Sequence, residues 1–176
     1  MKKLVGPIAP TFFDIDKDSL ILNKEDIVAV NPKKTDKVVL KMLKDKLSKF
    51  RNDIRVVEIK NMSQDQVKET LMKSKLYVDL GYFPGTERIP REAALVYCNI
   101  ITSRIGAASD DLDIPIEKKY KVDIQRHNIK NIANKIVTMI DNYENDISDF
   151  DNYRKLALNQ LERFDGDIAD IFQIID

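Results

Sequence analysis

The sequence predicts an α/β fold: a Rossmann-like parallel sheet flanked by helices, with further helices at the C-terminal end. From Asp26 onward short β-branched runs alternate with stretches of helical periodicity, and the connections between them are short. Two amphipathic stretches follow the last strand-like run. Strands joined through helices in this way pair in parallel by right-handed crossovers.

Residues 1–25 show few pattern signals; Pro7, Pro10 and the stretch DIDKD read as an arm or linker entering the domain. The sheet-bearing unit is assigned to residues 26–124 and the helices packing on it to 125–176. "DIVAVNP" (26–32) is a buried strand stopped by Pro32. Val39, Leu43, Leu47 and Phe50 then recur at helical spacing with lysines opposite. "IRVVEI" (54–59) is the second strand, and Ser63 with Gln66 forms a capping box ahead of a helix carrying Val67 and Leu71. "KLYVDLG" (75–81) is the third strand, followed by a helix over 90–98 with Pro90 as its first residue. "NIITS" (99–103) is the fourth, and "YKVD" (120–123) a short fifth. Ile129, Ile132, Ile136, Ile140 and Tyr143 make one closing stripe; Phe150, Tyr153, Ala157, Leu161 and Phe164 make another; IADIFQIID is a last apolar piece.

The bulk numbers narrow the function classes. At 176 residues the chain supports one domain with its own core. Its 29 basic and 29 acidic side chains cancel, so no global field draws it to nucleic acid. No apolar run approaches the roughly 20 residues of a membrane-spanning helix. The start, MKKLVGPIAP, lacks an apolar region behind its lysines and does not read as a signal peptide. A single cysteine, Cys98, excludes an intrachain disulfide and fits a reducing cytoplasm. With His127 as the sole histidine, no Cys/His zinc site is expected.

"YVDLGYFPGTERIPREAALVYC" (77–98) concentrates charge where ligands bind in open parallel sheets, beyond the carboxyl end of a strand. A helix N-terminus presents unpaired N–H groups and partial positive charge to a phosphate. Gly81 and Gly85 allow close backbone approach, and Arg88 and Arg91 match phosphate oxygens. Glu92 suits sugar hydroxyls. Competing readings exist: Glu92 as a helix-dipole partner, the arginines paired with Glu87 and Asp79, and Gly85 as plain turn chemistry. Two further strand ends add Lys33 and Lys34 after the first strand and the small-residue loop "TSRIGAAS" (102–109) after the fourth. Together the three loops read as an anionic-ligand crevice.

The segment from Tyr77 to Asp123, with its "PGTERIPREAA" and "IPIEKKYKVD" stretches, resembles the donor-binding half of bacterial GT-B glycosyltransferases of polysaccharide synthesis. "DIVAVNPKK" resembles the first strand and loop of that half. The resemblance covers about Asp26 to Asp123, and it implies a nucleotide-sugar donor as ligand. It places Glu92 on the nucleotide ribose, Lys33 or Lys34 on the diphosphate, and Gly106 and Ala107 near the nucleotide. Gly85, Glu87, Arg88 and Arg91 join the candidate set from charge and position. Two departures stand out. Pro84 occupies the place of the first glutamate in the Glu–x7–Glu signature many relatives carry, leaving Glu87 as the only glutamate within the loop. The acceptor half that precedes this domain in such enzymes is not expected within these 176 residues.

Other motifs are set aside. Asp111 and Asp113 echo an Asp-x-Asp metal motif of a different fold, but no metal is assigned, and no cofactor is expected because the nucleotide-sugar is a substrate. "GTERIP" lacks the Gly-Lys-Ser/Thr of a P-loop, and Asp79 lacks the acidic pair of a response regulator. His127 reads as exposed or capping, and Cys98 as buried filler. The expected function is therefore a nucleotide-sugar-binding domain of a glycosyltransferase, cytoplasmic or peripheral to the inner face of the membrane. Its expected partners are the donor, an acceptor-binding domain or subunit, and a second copy through the trailing helices. The alternative is a non-catalytic Rossmann-like interaction or regulatory module.

Overall fold

The computed structural model describes residues 8–159 except Asp14 and Thr86. Five strands, β1 (Glu25–Val30), β2 (Arg55–Glu58), β3 (Ser74–Asp79), β4 (Asn99–Ser103) and β5 (Lys121–Val122), form one parallel sheet in the order β2-β1-β3-β4-β5. This is the α/β sheet the sequence predicts. Central strands are apolar without alternation because helices cover both faces, and Val28, Leu76, Tyr77 and Ile100 are fully buried.

The helices are α1 (Lys17–Leu22), α2 (Lys37–Phe50), α3 (Gln64–Lys73), α4 (Arg88–Leu95), α5 (Ile129–Asp141) and α6 (Tyr143–Asp146). A further helix, α7, includes residues 151–159. α2 packs on α5, and α3 packs on α4. The chain leaves β1 for β2, then reverses past β1 to reach β3, so right-handed crossovers put α2 and α3 on opposite faces.

Element ends differ from the sequence reading where side chains redirect the backbone. β1 stops at Val30 because Asn31 turns the chain: its Oδ1 accepts from the Lys33 N–H (3.1 Å), and its carbonyl accepts from the Thr35 hydroxyl (3.0 Å). α4 begins at Arg88, so Pro90 is its third residue rather than its first. That costs no hydrogen bond, since N–H groups in the first turn have no intrahelical acceptor. The capping box forms as expected, with the Gln66 N–H donating to Ser63 Oγ (3.3 Å) and the Ser63 N–H to Gln66 Oε1 (2.8 Å). The stripe from Ile129 to Tyr143 is buried throughout, but the helix breaks at Asn142. Of the second stripe, Phe150, Tyr153 and Ala157 are buried; Leu161, Phe164 and IADIFQIID lie outside the described residues.

Ile8, Phe12 and Leu20, from the segment read as an arm, join the same core cluster as the sheet and α5. α1 is capped by Asp16, whose side chain accepts from the Ser19 N–H. Among the described residues, no helix is long and apolar enough to cross a membrane.

Candidate functional site

The strand order reverses between β1 and β3, and the carboxyl ends of these two strands flank the crevice where ligands sit in open α/β sheets. Three loops meet there, after β1, β3 and β4. A buried network anchors the first two. Asp79 Oδ2 accepts from the Tyr77 hydroxyl (3.0 Å) and the Asn31 amide (3.2 Å), while Oδ1 accepts from the Gly81 N–H (3.1 Å). Burial pushes the Asp79 carboxyl up, opposed by these donors and by the charge of Lys34. The Ser103 hydroxyl donates to the Gly81 carbonyl, tying β4 to the same turn.

Gly81 is needed for close approach, but the thing approached is protein. A Cβ there would stand 2.1 Å from Lys34 Cβ, so the β3 turn lies directly on the Lys34 stem. Gly106 has φ 69° and ψ −143°, a conformation open almost only to glycine. A Cβ on it would meet the Phe83 carbonyl oxygen at 2.1 Å. The Ala107 N–H donates to that same oxygen (2.8 Å), and the Phe83 N–H donates to the Ile105 carbonyl (3.3 Å). The small-residue loop is thereby stitched to the β3–α4 loop.

Glu87 is the N-cap residue of α4, yet its side chain makes no capping bond. Its carboxylate pairs instead with the Lys34 ammonium, about a quarter of each side chain remaining exposed (26% and 23%). Lys34 Nζ also lies 5.1 Å from the Phe83 ring centroid. Arg88, one turn before Glu92, places Nε 3.3 Å from Glu92 Oε1. Glu92 itself is 0% exposed, and neither carboxylate oxygen has a hydrogen-bond partner; the Arg88 contact is charge proximity without hydrogen-bond geometry. Burial raises the Glu92 carboxyl, and the charges of Arg88 and Arg91 oppose that rise.

The structure thus brings Lys34, Glu87, Arg88 and Glu92 together and gives the other candidates different surroundings. Arg91 is 1% exposed, and its Nε donates to the Glu87 carbonyl (3.0 Å), bracing the first turn of α4. Neither arginine pairs with Asp79, which the strand-end network occupies. Lys33 lines a groove of about 520 Å³ with Pro32, Lys37, Lys41 and Lys44, along α2 rather than toward α4. Gly85 is half-buried in the β3–α4 loop. Gly106 and Ala107 act through the Phe83 backbone. Asp111 pairs with Lys121 at 2.8 Å, and among the described residues no group of three or more His, Cys, Asp or Glu side chains could hold a metal.

The sequence reading missed the roles of Asn31 and Tyr77. Tyr77 and Asp79 stand two apart on a strand and so face the same side, the one local signal available. Nothing local announced that Asn31 would reach them.

No protein-family model matches the sequence, and no curated protein matches it significantly. Among solved structures the chain is similar to TarM, with a TM-score of 0.61 and 17% identity over 85% of this chain and 35% of that one. It is also similar to a point mutant of S. aureus TarM in complex with fondaparinux, alpha-GlcNAc-glycerol and UDP, with a TM-score of 0.57 and 16% identity over 80% of this chain and 35% of that one. The chain therefore spans about a third of the length of these neighbours. The domain has a glycosyltransferase-like fold, an α/β sheet with helices trailing its last strand.

Proposed function

We propose that the chain is the nucleotide-sugar donor-binding domain of a GT-B glycosyltransferase in cell-surface polysaccharide assembly, working with an acceptor-binding domain or subunit outside the chain. The observation that carries this reading is Glu92: a buried carboxylate that faces Arg88 but has neither oxygen hydrogen-bonded, on the helix that opens onto the sheet's topological switch. A buried carboxylate whose oxygens lack hydrogen bonds is costly and is relieved by donors such as ribose hydroxyls. Because one structural neighbour is a complex with UDP, uridine diphosphate is the first ligand to try.

In this reading Lys34, Arg88 and the N-terminus of α4 receive the diphosphate. The half-exposed Arg88 guanidinium lies against Glu92, so its swing to a phosphate frees the carboxylate for the ribose. In a sugar transfer these positive groups offset charge developing on the departing nucleoside diphosphate. Neither metal nor cofactor takes part, and proton abstraction from the acceptor falls to the other half. The domain works in the cytoplasm or against the inner face of the membrane.

Calorimetric titration of the chain with UDP, GDP and ADP, beside Glu92→Gln, tests this. One diphosphate is expected to bind, and the variant to weaken it by about tenfold to a hundredfold, as for lost hydrogen bonds to a charged group. A folded chain that binds none of the three would sink the reading and leave a docking module.

A further inference from the structure

The candidate site holds two acid–base pairs, Lys34 with Glu87 and Arg88 with Glu92. A nucleoside diphosphate satisfies three of these four groups. Its phosphates take the two bases, and its ribose takes Glu92. Glu87 alone has nothing to receive from it.

The position of Glu87 is that of an anion in an anion's place. It is the N-cap residue of an eight-residue helix whose first N–H groups lack intrahelical acceptors, and its carboxylate neutralises the lysine beside that helix end. It does not act as a cap, so helix capping does not account for its placement. The Lys34 stem is pinned beneath Gly81, and its ammonium has the Phe83 ring as a second neighbour. Lys34 can therefore exchange one anion for another without moving its backbone. Glu92, wholly buried one turn further along with neither oxygen hydrogen-bonded, is an independent sign that the place is built for a ligand.

We propose that Glu87 is a built-in stand-in for phosphate, which holds Lys34 while the site is empty and must be displaced when a diphosphate enters. The proposal rests on the reading of this site as a nucleoside-diphosphate site and adds its regulation: the empty site is held closed by its own carboxylate. Affinity for anions is then set below what the positive groups alone would supply, which favours release of the diphosphate product. The proposal also fixes a sign. Neutralising an acid that contacts ligand weakens binding, whereas neutralising an acid that competes with ligand strengthens it.

The test is calorimetry of the full chain with pyrophosphate and with UDP, comparing wild type, Glu87→Gln, Glu87→Ala, Lys34→Met and the Lys34→Met/Glu87→Gln double variant, with melting curves to confirm folding. Both Glu87 variants are expected to bind pyrophosphate and UDP about fivefold more tightly, near the upper value of one partly exposed ion pair. That gain should vanish in the Lys34→Met background. Unchanged or weaker binding by folded Glu87 variants overturns the proposal, as does a gain that persists without Lys34. Failure of both Glu87 variants to fold makes Glu87 a requirement of the fold and also overturns it. If wild type binds UDP and the Glu87 variants gain nothing, only this inference falls. If neither wild type nor variants bind any diphosphate, the donor-site reading falls with it.

Discussion

At the amino ends of the strands, Arg51 is held by Asp26, Asp53 and Asp141, and Lys75 gives Asp26 a second partner. At the carboxyl ends, Glu92 is buried with neither oxygen hydrogen-bonded, and the buried Lys34 ammonium nitrogen makes an ion pair but no hydrogen bond. Both ends set lysine and arginine against carboxylates. What differs is saturation: the amino end uses its charges to tie α2, β1 and α5 together, while the carboxyl end holds buried charge whose hydrogen-bonding capacity the fold leaves unused. A concentration of charge in a sequence is therefore ambiguous by itself, and the informative quantity is how much of its bonding capacity the fold has already used.

Three experiments break or sharpen this contrast. The largest effect is expected at the carboxyl end, from Gly106→Ala. Its backbone conformation alone costs a side chain about 1–3 kcal/mol, and the new Cβ would meet the Phe83 carbonyl oxygen at 2.1 Å. Denaturant unfolding should show a loss at least that large, with the loops at the carboxyl ends of the strands altered; a neutral result would mean the two stitched loops are not a unit.

The second is Arg51→Ala, which should lower the melting temperature by roughly a few degrees and change its acid dependence. Arg51 hydrogen bonding lowers the Asp53 carboxyl from 3.8 to about 2. A depressed carboxylate contributes stability above its unfolded pKa and loses it as pH falls through the folded value. Wild type should therefore lose stability between about pH 4 and pH 2 more steeply than the variant does. Parallel curves would show that the amino-end charges are not coupled as the geometry indicates.

Glu92→Gln should have the smallest effect on stability, and of opposite sign: no loss, or a slight gain, at neutral pH. Burial raises the Glu92 carboxyl, so its charged form weighs against the fold above the folded pKa, and that penalty is relieved as pH falls toward the ordinary glutamate value of 4.5. The difference between variant and wild-type melting temperatures should shrink on acidification. A clear loss of stability at neutral pH would place Glu92 with the saturated charges.

The sheet was legible because strands buried on both faces leave continuous β-branched runs, as in Asp26–Val30 and Asn99–Ser103. The element ends were less so, because Asn31 ends β1 through side-chain bonds to its own loop and not through any change of periodicity. Within the candidate site, the four-residue spacing of Arg88 and Glu92 places them together on a helix. The choice between Arg88 and Arg91 was not readable: both are arginines in one turn, and only the rotation of α4 against the core makes one half-exposed and the other buried. Lys34 and Glu87 meet only because β1 and β3 are neighbours, a relation fixed by strand order and invisible locally.

Cys98 has a consequence of its own. The thiol lies at the amino end with its sulfur against the Leu71 and Ser74 carbonyls, which Lys24 Nζ also reaches at 2.9 and 2.8 Å. It is fully buried, and burial raises its pKa above the usual thiol value despite the neighbouring ammonium. As the chain's only sulfhydryl, it is shielded from an alkylating reagent until α3 separates from the start of β4. The rate at which such a reagent enters is then a stopwatch for opening of the interior, installed in the native sequence without any engineered label.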